Sequence, residues 1–139
     1  MDIESEPPSW DVLLAELRIN TDFDRSYAAR EAIARFADES WLPRLHDLLA
    51  NDENFYICES AATPIIRLEG LRALPSLLIA LERGEREGHY INGFSLEVSE
   101  LVCEYPAEAI PILEKMLDDP NPRRREDAQW LLEFAYDPL

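Results

Sequence analysis

The dipeptide Leu74-Pro75 has counterparts at Leu42-Pro43 and Ile110-Pro111, at intervals of 32 and 36 residues. A period of that length suits arrays of helix pairs, in which each pair leaves an apolar face uncovered and must stack on a neighbour to bury it. The clearest unit is 57–81. Ile57, Ala61, Ile65 and Leu68 form one stripe at helical spacing, Glu69-Gly70 interrupts it, and Leu74, Leu77, Leu78 and Leu81 form a second. The expected fold is therefore all-α, an α-solenoid of about four helix pairs.

Taken in order, residues 1–8 read as a flexible lead-in and 9–139 as a single repeat domain. Ser9 is placed to cap a helix over 10–18, with Trp10, Leu13, Leu14 and Leu17 inward. A second helix starts near Asp24 and turns Ala28, Ala29, Ala32, Ile33 and Phe36 inward. In the next pair Trp41, Leu42, Leu45, Leu48 and Leu49 face the core, and Pro43 is tolerated in the first turn, where its missing N–H has no intrahelical partner. The helix 55–68 contains Pro64, so a kink is expected near 60–64. After a helix over 71–83, the segment 84–93 holds three of the four glycines and reads as the one long loop. Ser95 then caps a helix with Val98, Leu101, Val102 and Tyr105 inward and Glu97, Glu100 and Glu104 outward. The last pair comprises 107–117, buried through Ile110, Ile112, Leu113 and Leu117, and 123–135, buried through Ala128, Leu131, Leu132 and Ala135, with Trp130 and Phe134 at the edge of that stripe.

The 29 acidic residues against 13 basic ones give a net charge of −16, which repels phosphate backbones and attracts basic surfaces. Direct nucleic-acid binding is not expected. The opening MDIESEPPSW has no apolar core and no aliphatic run approaches a bilayer span, so a cytoplasmic protein without a membrane segment is expected. Cys58 and Cys103 lack CxxC spacing and read as reduced thiols. His46 and His89 are the only imidazoles, and with the two cysteines they show no zinc-ligand spacing and no nucleophile-base pairing. Asp118-Asp119-Pro120-Asn121 lacks the glycine and distant glutamate of a calcium loop, and no phosphate-binding glycine pattern occurs. Arg123-Arg124-Arg125 is expected to pair with neighbouring Glu126, Asp127, Asp118 and Asp119. The expectation is a non-enzymatic protein with no cofactor and no metal.

The stretches Ser60-Ala61-Ala62, Ile65, Leu68, the run 73–81 from Ala73-Leu74-Pro75, and 110–123 from Ile110-Pro111 to Pro122-Arg123 resemble the HEAT repeat. The likeness is to the short variety found in phycobilisome-lyase-like HEAT families, and it covers most of 24–135, departing at Pro64 and at 84–94. The resemblance implies a right-handed stack whose second helices, here starting near Asp24, Phe55, Ser95 and Pro122, line a concave face that holds another macromolecule. Partner-binding candidates there are Tyr56, Glu59, Thr63 and Arg67, then Glu97, Glu100 and Glu104, then Glu126, Asp127, Trp130 and Glu133, with His89 and Tyr90 in the loop. This composition suits a basic protein partner. One concrete version is an immunity or inhibitor protein that neutralises a nuclease toxin; the alternatives are a general HEAT-repeat scaffold or adaptor, and a bilin-lyase-like HEAT enzyme.

Overall fold

Polar side chains start the helices much where the sequence places them. In the computed structural model, which describes residues 9–137, the Ser9 hydroxyl accepts from the Val12 N–H, Asp22 caps α2 through the Arg25 N–H, and Asn121 accepts from the N–H groups of Arg123 and Arg124 ahead of Pro122. Each satisfies a donor that a helix start would otherwise leave open. The elements are α1 (Trp10–Leu17), α2 (Phe23–Phe36), α3 (Leu42–Asn51), α4 (Phe55–Glu69), α5 (Leu74–Arg86), α6 (Asn92–Glu104), α7 (Pro106–Met116) and α8 (Pro122–Tyr136), with 3-10 turns at Glu39–Trp41 and Gly70–Ala73. The described residues contain no strand, and none of their helices is long and apolar enough to cross a membrane. The lead-in expected at 1–8 lies outside the described residues. The described residues form two compact units that divide between Leu68 and Glu69.

In the first unit α1 lies along α2, and the apolar stripes bury Leu13, Leu17, Ile33, Leu45, Leu49, Ile57 and Ile65. The Trp10 ring meets Trp41 edge-on, with centroids 5.5 Å apart, which ties α1 to the 3-10 turn before α3. Phe36 and Ala28 are exposed where the sequence pattern turned them inward, and Ser26 is buried instead, its hydroxyl donating to the Leu17 carbonyl at 2.7 Å. α4 runs unbroken through the buried Pro64.

In the second unit α8 packs against α5, α6 and α7. Leu74, Leu77, Leu78 and Leu81 are all buried, as their spacing requires, together with Phe94, Val98, Val102, Leu113, Leu131 and Leu132. Three expectations are corrected here. The long loop at 84–93 shrinks to 87–91, because α5 continues to Arg86 and α6 already begins at Asn92. Gly88, just past the C-cap Glu87 of α5, has a φ of +81° that an L side chain rarely adopts; its N–H bonds the Glu85 carbonyl and the His89 N–H bonds the Gly84 carbonyl, which closes the last turn. Ser95 therefore lies inside α6 rather than capping it, and donates to the Asn92 carbonyl. On burial, Tyr105 is exposed and Phe94, near the start of α6, is buried, while α7 buries Ala109 and Met116 with Leu113 and leaves Ile110, Ile112 and Leu117 only half-buried. Pro43 and Pro75 open α3 and α5 directly after 3-10 turns, whereas Pro111 sits inside α7, which starts at Pro106. The third dipeptide is therefore out of register with the other two.

Candidate partner-binding site

Helical spacing sorts the acidic candidates of the second unit into two stripes. Glu97, Glu100 and Glu104 share one face of α6, the first half-buried and the other two exposed. Glu126, Trp130 and Glu133 share one face of α8, all three exposed. α6 and α8 pack on each other, so both stripes belong to one packed helix pair.

Beside the α8 stripe is a hollow of about 350 Å³. α5 contributes Leu81 and Glu85, the start of α6 contributes Ile91 and Ser95, and α8 contributes Arg123, Glu126, Asp127 and Trp130. The Trp130 ring is held edge-to-face against Phe134 at 4.9 Å and is 38% exposed. Arg123 is the cation of the site: it pairs with Glu85, lies 3.6 Å from Glu126 and has its Nε 3.5 Å from Asp127 Oδ1. The adjoining Glu82 is buried and accepts from Arg86 at 3.0 Å.

Asp127 corrects the expectation that it faces solvent. It is 6% exposed, and its Oδ2 is buried with no hydrogen-bond partner among the described residues. Burial pushes its carboxyl up from 3.8 to about 6; Glu85, Glu126 and Glu82 push the same way, and Arg123 opposes them. The hydrogen bond to Glu85 in turn raises the Arg123 guanidinium. The arrangement can hold a cation, since Glu85, Glu126 and Asp127 face a single resident guanidinium.

The remaining candidates are placed elsewhere. His89 lies 3.4 Å from Glu87, an ion pair when the imidazole is protonated, and Arg83 holds the Glu87 carboxyl below its usual range. Tyr90 is 80% exposed. In the first unit Tyr56, Glu59 and Arg67 are engaged within the fold: the Arg30 guanidinium stacks 5.1 Å above the Tyr56 ring and lies 3.9 Å from Glu59, and Arg67 donates to the carbonyls of Ala34 and Ala37 at the end of α2. Thr63 is half-buried on α4. The tri-arginine run pairs largely as expected, Arg124 with Asp119 at 3.5 Å and Arg125 with the Asp119 and Pro120 carbonyls.

Sequence reasoning missed Glu82, Glu85 and Arg123 as members of the site. The available signal was the Glu82-Arg86 and Arg83-Glu87 spacing, which continues the helical pattern of α5 across Gly84. Among the described residues no group of three or more His, Cys, Asp and Glu side chains is arranged to hold a metal ion. No family model, no curated protein and no solved structure matches the chain.

Proposed function

We propose that this protein is a non-enzymatic binding module whose helix couples are HEAT-like units of a right-handed α-solenoid and whose acidic surface binds a basic protein. The observation that carries the reading is the pair of carboxylate stripes, Glu97/Glu100/Glu104 on α6 and Glu126/Glu133 on α8, on mutually packed helices, with Trp130 among them. Such a surface steers a cationic partner during encounter, and an exposed aromatic beside a hollow supplies the contact that slows release. An immunity or inhibitor protein covering the cationic active site of a nuclease toxin is the concrete version. What supports it is the row of glutamates on α6, a helix with no basic residue, whereas α8 sets three arginines against its three carboxylates.

The test is association kinetics with a basic partner captured from native extract. Raising the ionic strength from about 0.01 M to about 1 M shortens the Debye length from about 30 Å to about 3 Å and slows association by at least tenfold if electrostatic steering operates. The triple variant E97Q/E100Q/E104Q lowers affinity at least tenfold at low salt. Affinity within a few-fold of the parent in that variant, with a salt-independent rate, would replace this reading with the adaptor, for which acidity serves solubility alone. The lyase reading calls for an exposed thiol; Cys58 is buried with its Sγ donating to the Asp52 carbonyl and Cys103 is half-buried, so resistance of both to thiol reagents in the folded protein would exclude a cysteine-based version.

A further inference from the structure

We infer that the hollow between α5, α6 and α8 is a receptor for one arginine side chain of the basic partner, whose guanidinium completes the coordination of Asp127 while its stem lies against Trp130. This rests on the acidic-surface reading and deepens it, by assigning the anchoring contact to a hollow that takes only Glu126 and Trp130 from the two stripes. Three observations carry it. The first is the unsatisfied acceptor: Asp127 is buried, Oδ1 lies 3.5 Å from Arg123, and Oδ2 has no hydrogen-bond partner among the described residues. Buried carboxylate oxygens are normally hydrogen-bonded, and one left open favours an arriving donor over water.

The second observation is charge. Glu85, Glu126 and Asp127 line the hollow with only Arg123 to oppose them, and Glu82 behind them is already matched by Arg86. The groups acting on Asp127 are Glu82 and Glu85 from α5 and Arg123 and Glu126 from α8, while α6 contributes the uncharged Ser95 to the lining. A second guanidinium fits this inventory and an anion does not. The third is shape. A volume of about 350 Å³ is at the small end of ligand pockets. Its walls at Leu81, Ile91 and Trp130 are apolar, matching a methylene stem, and the indole face attracts a planar cation. A guanidinium is favoured over an ammonium because it can give one N–H to Asp127 Oδ2 and another to Glu126 while stacking on the ring.

The probe is N-acetyl-arginine amide, with the citrulline analogue as neutral control, titrated into the whole chain and followed by the indole N–H signal of Trp130 and the amide of Ser95. The expected result is saturable arginine binding with a dissociation constant of about 1–10 mM, weaker by at least tenfold for N-acetyl-lysine amide and absent for citrulline. D127N abolishes it, whereas E97Q/E100Q/E104Q leaves it within twofold. No saturable shift at Trp130 and Ser95 with ~50 mM arginine amide, or lysine binding as tightly as arginine, would overturn the proposal. A deca-arginine peptide separates the two readings: loss of single-arginine binding in D127N with salt-sensitive peptide binding retained supports the pocket on an acidic surface. Peptide binding without any single-arginine binding sinks the pocket alone, and binding of neither sinks the acidic-surface reading with it.

Discussion

The two units carry the same net charge and manage it differently. Residues 1–68 hold 14 acidic and 6 basic side chains and residues 69–139 hold 15 and 7, a net of −8 each. Among the described residues of the first unit the buried polar side chains are Ser26 and Ser60, both donating to backbone carbonyls at 2.7 Å, and the carboxylates stay near the surface, where arginines meet them: Arg18 with Asp52, Arg25 with Glu16, Arg30 with Glu59. The second unit instead takes Glu82 and Asp127 out of water. An acid on an outward helix face costs little and contributes little, whereas one on a packing face is expensive unless a cation reaches it. Net charge does not distinguish these cases; helical register does.

The largest expected effect tests the second half of that contrast. Asp127 has a folded value of about 6 against an ordinary 3.8. Between those values the folded state holds a proton that the unfolded chain has released, so stability falls as pH rises from about 4 to about 6, and the full penalty persists above it. Asp127→Asn removes the charge and keeps the shape. It should stabilise the protein by about 1–3 kcal/mol near pH 7.5, with the gain shrinking towards zero below about pH 4. Urea denaturation of both proteins across this range measures it, and a gain of equal size at every pH would assign the effect to packing.

A smaller effect tests the first half. Arg67 gives its Nε proton to the Ala34 carbonyl at 2.8 Å and an Nη2 proton to the Ala37 carbonyl, closing the C-terminal end of α2 with a side chain from α4. Arg67→Ala should cost about 1–2 kcal/mol, because charged hydrogen bonds to helix-end carbonyls are lost and water replaces them only in part. Arg67→Lys should recover less than half of that, since a single ammonium cannot span both carbonyls as a fork does. Full rescue by lysine, read from urea midpoints, would show that charge at the helix end suffices and the clamp geometry is immaterial.

How far the sequence foretells this contrast depends on the element. The α5 stripe 74/77/78/81 is legible because four leucines at helical spacing admit one inward face, and all four are buried. Its continuation through Glu85 is not legible, because Gly84 reads as a helix breaker while the helix runs on to Arg86 and turns away at Gly88, at positive φ. With 84–93 taken as loop, Glu85, one of the carboxylates acting on Asp127, disappears from any helix face. Asp127 itself precedes Leu131 by one turn, so the α8 stripe extended backwards reaches it; polarity argued against burial there, and helical register prevails. Tyr105 fails for a different reason. It is the C-cap of α6, with φ −132° and ψ 60°, and leaves the helical register that would have turned it inward, whereas Phe94 in the first turn of α6 is buried in the core.

The smallest effect sharpens the comparison at its weakest contact. Arg18, at the end of α1, pairs with Asp52, whose side chain is 10% exposed while that of the arginine is 45% exposed. Asp52 does not depend on that pair alone, because its Oδ1 also accepts from the Asn54 N–H at 2.9 Å and its carbonyl accepts the Cys58 thiol. Removing Arg18 therefore leaves the carboxylate still hydrogen-bonded and within reach of water. The loss for Arg18→Ala should be under about 1 kcal/mol, and about 1 M salt should reduce it further, since screening acts on a pair this open. A double-mutant cycle with Asp52→Asn isolates the pairwise part from the turn that Asp52 caps. A coupling above about 2 kcal/mol would place this pair in the class of buried charges, and the distinction between a first unit that keeps its acids wet and a second that does not would rest on Glu82 and Asp127 alone.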